Sequence, residues 1–146
     1  MVGYRAIEKA ARDKIRAHFG DLLTDNSCVA ADLDRLFKEI QMNDRDLGCI
    51  IDYADGSRQQ GAPYTKQMWQ WRIGGFFMVR HRGDPVQTDD AARLVIDKIY
   101  SIFEDDHTLG GLTPFVRVES IDQPEAGDLN DIPFYWIYFV IEALDK

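Results

Sequence analysis

The 146-residue chain is short of the features that usually announce an activity. It has two cysteines, Cys28 and Cys49, too few and too far apart for a disulfide scaffold or a zinc knuckle. Free cysteines used this sparingly pack as small buried hydrophobes. No apolar run approaches the roughly 18 residues that span a bilayer. The opening MVGYRAIEKAARDK lacks the continuous apolar core of a secretory signal, so cytoplasmic synthesis is expected. There is no G-x-S-x-G elbow, no Walker loop and no G-x-G-x-x-G. His18, His81 and His107 show neither H-x-H nor H-x-x-x-H spacing. An acid–base pair drawn from 25 carboxylates carries no weight without a motif around it. No enzyme signature survives, and neither a cofactor nor a metal is expected.

Basic charge is also scarce where a nucleic-acid binder would need it. The net charge is −8; residues 1–73 hold 11 basic and 11 acidic side chains, residues 74–146 hold 6 and 14. Proteins that grip nucleic acid display a basic patch that neutralises phosphates. A surface of the opposite sign avoids sticking to DNA, which is useful where DNA must slide past.

What is present is a globular alternation of periodic segments, with no internal repeat and no linker, consistent with one domain over 1–146. At 100° per residue, Tyr4, Ile7, Ala11, Ile15, His18 and Leu22 share one helix face, and Arg5, Lys9, Arg12 and Arg16 the other. The basic stripe reads as a solvated face or a contact for an anionic partner, and His18 as a partly buried histidine at a helix end. Leu33, Leu36, Phe37 and Ile40 predict a second, shorter helix supported by Asp34–Lys38 and Arg35–Glu39 pairs. Leu47, Cys49, Ile51 and Tyr53 alternate as a strand that Asp55-Gly56 would turn. Residues 57–66 read as a loop or the flexible arm of a long hairpin.

MWQWRIGGFFMVRHR follows, with Trp69, Trp71, Ile73, Phe77 and Val79 on one face. Its Gly74-Gly75 pair predicts a bulge or bend, because the strand pattern continues on both sides. The run Arg80 to Pro85 reads as a basic strand end entering a turn. Thr88 is a suitable N-cap ahead of Asp89 and Asp90, for a helix burying Ala91, Leu94, Val95, Ile99, Ile102 and Phe103. Phe115–Ile121 predicts a strand, 120–131 an acidic loop, and 132–143 a last strand apolar on both faces. A strand of that kind belongs in the middle of a sheet or at a subunit interface. The expected fold is therefore α+β: a mainly antiparallel sheet, two or three helices on one face and a long hairpin arm. Aromatic residues exceed what one small sheet face needs, which points to assembly.

The segment SIFEDDHTLGGL (101–112) decides most about function. Adjacent carboxylates at a helix C-terminus point in different directions and sit against the dipole, and no bidentate Glu closes a calcium loop. The segment reads as a fraying helix end, its polar residues in water, with a turn made by Gly110 and Gly111.

With the preceding V-R-H-R strand, the acid-capped helix and the closing aromatic strand, this segment resembles the tail terminator (tail completion, minor tail protein U-like) proteins of tailed bacteriophages. There an I-x-x-x-L helix runs into D-x-T-L-G-G before the next strand; the matching residues here are Ile99, Phe103, Asp106, Thr108, Leu109, Gly110 and Gly111. The resemblance covers about 65–145 and the opening helix, whereas 25–46 is longer than expected and the 55–67 arm is particular to this chain. It implies a non-catalytic virion protein without cofactor, assembled as a hexameric ring at the head-proximal end of the tail. That ring stops tail-tube polymerisation, joins the tail to the head-completion or connector protein and lets DNA pass through its lumen without sequence-specific binding. No membrane is involved. The acids Glu119, Asp122, Glu125, Asp128 and Asp131, or those at 104–106, are expected at the lumen or docking face. Arg58, Gln59, Gln60 and Tyr64 are expected in a subunit-interface arm. The alternatives are another neck component, such as a head-closure or head–tail joining protein, and a small intracellular enzyme with no recognisable motif.

Overall fold

The computed structural model describes residues 3–23, 28–30, 47–59, 68–81, 85–129 and 132–145. Its elements in chain order are helix α1 (Tyr4–Phe19) with a 3-10 turn (Gly20–Leu22), strands β1 (Cys28–Ala30), β2 (Leu47–Gln59) and β3 (Met68–Arg80), helix α2 (Pro85–Asp105), and strands β4 (Phe115–Ile121), β5 (Glu125–Leu129) and β6 (Ile132–Asp145). The helix expected around 33–40 lies outside the described residues.

The six described strands form one sheet in the order β1-β2-β3-β6-β4, with β5 following β4 along the same side of β6. β1 runs parallel to β2, and every other described pairing is antiparallel. The protein is thus an α+β fold with a mainly antiparallel sheet. β6 lies between β3 on one side and β4 and β5 on the other, the central place that two apolar faces require.

Both described helices cover the same face. Ile7, Ala11, Ile15 and Phe19 of α1, with Ala92, Val95, Ile99, Ile102 and Phe103 of α2, join Cys49, Ile51, Ile73, Phe77, Ile137, Phe139 and Ile141 in one buried cluster. The Phe19, Phe77 and Phe139 rings stand 5.2 and 5.5 Å apart in sequence across it. The buried stripe of α1 runs through Phe19 and Leu23 and not through His18 and Leu22, which are exposed. The larger ring takes the core place, and the stripe is rotated toward the arginine side. Arg12 follows that rotation: its Nε donates to the Cys28 carbonyl at 2.7 Å, so part of the basic stripe holds β1 and does not face solvent.

α2 begins at Pro85, three residues before the expected cap. Proline suits the first helical turn because its missing N–H has no intrahelical acceptor there. Thr88 is therefore inside the helix, buried, with its hydroxyl 2.9 Å from His81 Nδ1. Ala92 takes the core position expected of Leu94, which is exposed. The bulge expected at Gly74-Gly75 falls on the opposing strand, between Ile51 and Tyr53. Gly75 itself is required by close approach: a Cβ there would sit 2.6 Å from the Ile50 carbonyl oxygen and 2.7 Å from the Phe139 ring. The turn expected at Asp55-Gly56 does not form: both residues continue β2, opposite Arg72 and Trp71. Of the two readings of 57–66, loop or hairpin arm, residues 57–59 follow the arm, with Arg58 opposite Trp69 and Gln59 opposite Met68.

Candidate functional site

The helix-to-sheet turn is built around one carboxylate. α2 ends at Asp105, and Asp106 folds back over the turn that follows. Its Oδ1 accepts from the Thr108 amide and the Thr108 hydroxyl, both at 3.1 Å; its Oδ2 accepts from the Gly110 amide at 2.8 Å and from Lys14 Nζ on α1. The Thr108 hydroxyl in turn accepts from the Gly111 amide at 3.0 Å. Aspartate favours such local bonding to the backbone two to four residues on. The Lys14 ammonium and then the Thr108 and Gly110 amides hold the Asp106 carboxyl well below the usual carboxylate range.

The glycines have a conformational reason. Leu109, Gly110 and Gly111 all take positive φ, at 50°, 69° and 88°. A side chain costs roughly 1–2 kcal/mol per residue in that region, so two of the three positions are glycine. Leu109 is the exception because its side chain is buried in the core. The chain then leaves along β4, with the Val116 amide donating to the His107 carbonyl at 2.6 Å. Asp106, Thr108, Leu109, Gly110 and Gly111 are brought together as one unit. Asp106 is not left in water as the sequence suggested, because Lys14, 92 residues away in sequence, reaches it from α1.

The acids of 119–131 lie elsewhere. Residues 120–131, expected as a loop, contain the end of β4, the bridge from the Asp122 amide to the Tyr138 carbonyl at 2.9 Å, and β5. Gly127 and the nearby proline suggest a loop. In the fold Gly127 makes room for Trp136, whose indole would lie 2.5 Å from a Cβ at that position. Asp122, Glu125 and Asp128 stand exposed along this side of the sheet. Glu119 differs: it occupies the irregularity between Val118 and Ser120 and reaches across β6 to Arg72 Nε at 2.8 Å. Asp131, Gln60 and Tyr64 lie outside the described residues, as do the side chains of Arg58 and Gln59, whose backbones belong to β2. The bond from the Val116 amide to the His107 carbonyl brings the segment that follows 104–106 to the Ala143 end of β6, whereas Asp128 lies beside Pro133. At about 3.4 Å per residue Asp128 is on the order of 35 Å along the sheet from that end, with Glu119 and then Asp122 at intermediate positions.

The sheet face turned away from the helices has two halves. At one end Arg117 pairs with Glu142 at 2.7 Å, Gln70 also reaches Glu142, and Arg72 pairs with Glu119. At the other, Phe76 contacts Trp136 and Tyr138 with ring centres 5.2 and 5.4 Å apart. Tyr138 keeps 45% of its surface, a large aromatic area on a strand in the middle of the sheet. Asp145, which no sequence pattern singles out, is 1% exposed and accepts from the Gly3 amide at 2.8 Å and Trp71 Nε1 at 3.2 Å. A carboxylate on β6 thus caps the positive end of α1, and only a fold in hand reveals that pairing.

Among the described residues no group of three or more His, Cys, Asp or Glu side chains is placed to hold a metal ion, and no helix is long and apolar enough to cross a membrane. The chain matches no protein-family model and no curated protein.

Proposed function

We propose that the chain is a structural virion protein, a tail terminator of a tailed bacteriophage. In this reading copies assemble as a hexameric ring at the head-proximal end of the tail tube and there stop the tube from growing. The ring then receives the head-completion or connector protein, and DNA passes through its lumen. The reading rests on the D-x-T-L-G-G turn: Asp106, Thr108, Leu109, Gly110 and Gly111 form a single hydrogen-bonded unit joining α2 to β4, at the place where the resembling proteins carry that pattern. The exposed aromatic surface at Tyr138 and the acidic β4–β5 side add support, as a contact surface and a DNA-repelling one.

The test is to add the purified chain to tail tubes during polymerisation. A terminator binds one end of each tube, stops its growth and leaves six subunits per capped end in a quantitative mass measurement. Tubes that grow unchecked with no bound protein would count against the reading, and binding only to isolated head connectors would favour the head-closure alternative.

A further inference from the structure

Cys28 and Cys49 stand directly opposite each other in the parallel β1–β2 pair, and both are fully buried free thiols. Neighbouring strands run about 4.7–4.9 Å apart, inside the window of about 4.4–6.8 Å between Cα atoms that a disulfide spans. Residues paired in a parallel register project to the same face, so the two sulfurs share one pocket beneath α1. Arg12 marks the place: its Nε donates to the Cys28 carbonyl at 2.7 Å, and the Cys28 thiol lies 3.8 Å from the Arg12 carbonyl oxygen.

We propose that Cys28 and Cys49 form an oxidisable dithiol, which a small dialkyl disulfide converts to an intramolecular disulfide joining β1 to β2. The Cys28 thiolate attacks one sulfur of the reagent, its proton having passed to solvent, and one thiolate leaves. Cys49 then gives up its proton and attacks the Cys28 sulfur of the mixed disulfide, and the second thiolate leaves. Two protein thiols lose two electrons, one reagent disulfide gains them, and the released protons reappear on the two departing thiols.

The surroundings set the order of attack. A hydrogen bond from Cys49, aided by the Arg12 and Arg16 guanidinium groups, holds the Cys28 thiol below its ordinary value against the opposing effect of burial. Burial, and then the same hydrogen bond, push the Cys49 thiol well up. Cys28 is the attacking sulfur and Cys49 the resolving one. Both are covered, so the reagent enters when β1 opens; at three residues, it is the shortest of the described strands and the first to do so.

The experiment treats the native full-length chain with oxidised glutathione at neutral pH and follows intact mass and free thiols. The expected product has lost two hydrogen atoms, has no titratable thiol and carries no glutathione, and dithiothreitol reverses the change. Its thermal midpoint rises by about 5–10 °C because the chain between the cysteines is closed into a loop. Cys49→Ser should keep a glutathione on Cys28, since no resolving thiol remains. Two results overturn the proposal: native wild-type protein that keeps both thiols while urea-unfolded protein loses them, or a stable glutathione adduct with no internal disulfide. Both are read on the wild-type chain, so a variant that fails to fold does not obscure the answer.

Discussion

Asp106, just after α2, and Asp145, at the end of β6, each accept hydrogen bonds from another element, whereas Asp122, Glu125 and Asp128 stand exposed along the β4–β5 side of the sheet. All five belong to the same excess of 14 acids over 6 bases in the second half of the chain. Charge count alone treats them alike. Their surroundings do not: the first two accept from backbone amides, and the other three stand exposed at the surface. Acids of the first kind set the fold and acids of the second kind are available to a partner or to DNA.

That contrast can be tested by substitution. Asp145→Ala should have the largest effect, lowering stability by about 2–3 kcal/mol, because the Gly3 amide and Trp71 indole lose this buried acceptor. Chemical denaturation measures it, and Asp145→Asn should recover part of the loss by keeping one acceptor oxygen. Asp106→Asn should destabilise less, since the site is only half-buried, and its effect should depend on pH. The native carboxyl is held below its ordinary value, so the unfolded chain takes up the proton first as pH falls. The stabilisation is fully present at neutral pH and declines once pH drops below the unfolded value of about 4. The gap between wild type and Asp106→Asn should therefore narrow between pH 7 and pH 3; a constant gap would contradict the ionic role of Lys14. Changing Asp122, Glu125 and Asp128 together to lysine should leave the thermal midpoint nearly unchanged. The same variant should impair DNA ejection or infectivity; unaltered particles would remove these acids from the lumen or docking face.

The division also explains what could be read in the sequence. The strands at 68–80, 115–121 and 132–145 and both described helices carry strong periodicity, because each buries a continuous face. β1 is three residues long and leaves no periodic trace. β5 was hidden by its composition: the acids face solvent, and Gly127 is there because Trp136 lies across it, yet both look like loop residues in a linear reading. The turn at 106–111 was legible as a turn, since paired glycines announce positive φ. The partner of its aspartate was not, because Lys14 belongs to the first helix and only the packed structure brings it there. Asp145 was missed for the same reason. Local pattern reveals which residues are buried and which turn; it does not reveal which distant donor a carboxylate will meet.

The most direct test of the central claim is the length of tail tubes assembled in cells that lack this chain, measured by negative-stain electron microscopy. Tubes of uncontrolled length with no head attached are expected, restored to uniform length when the chain is supplied again. Tails of normal, uniform length joined to heads in its absence would contradict the claim.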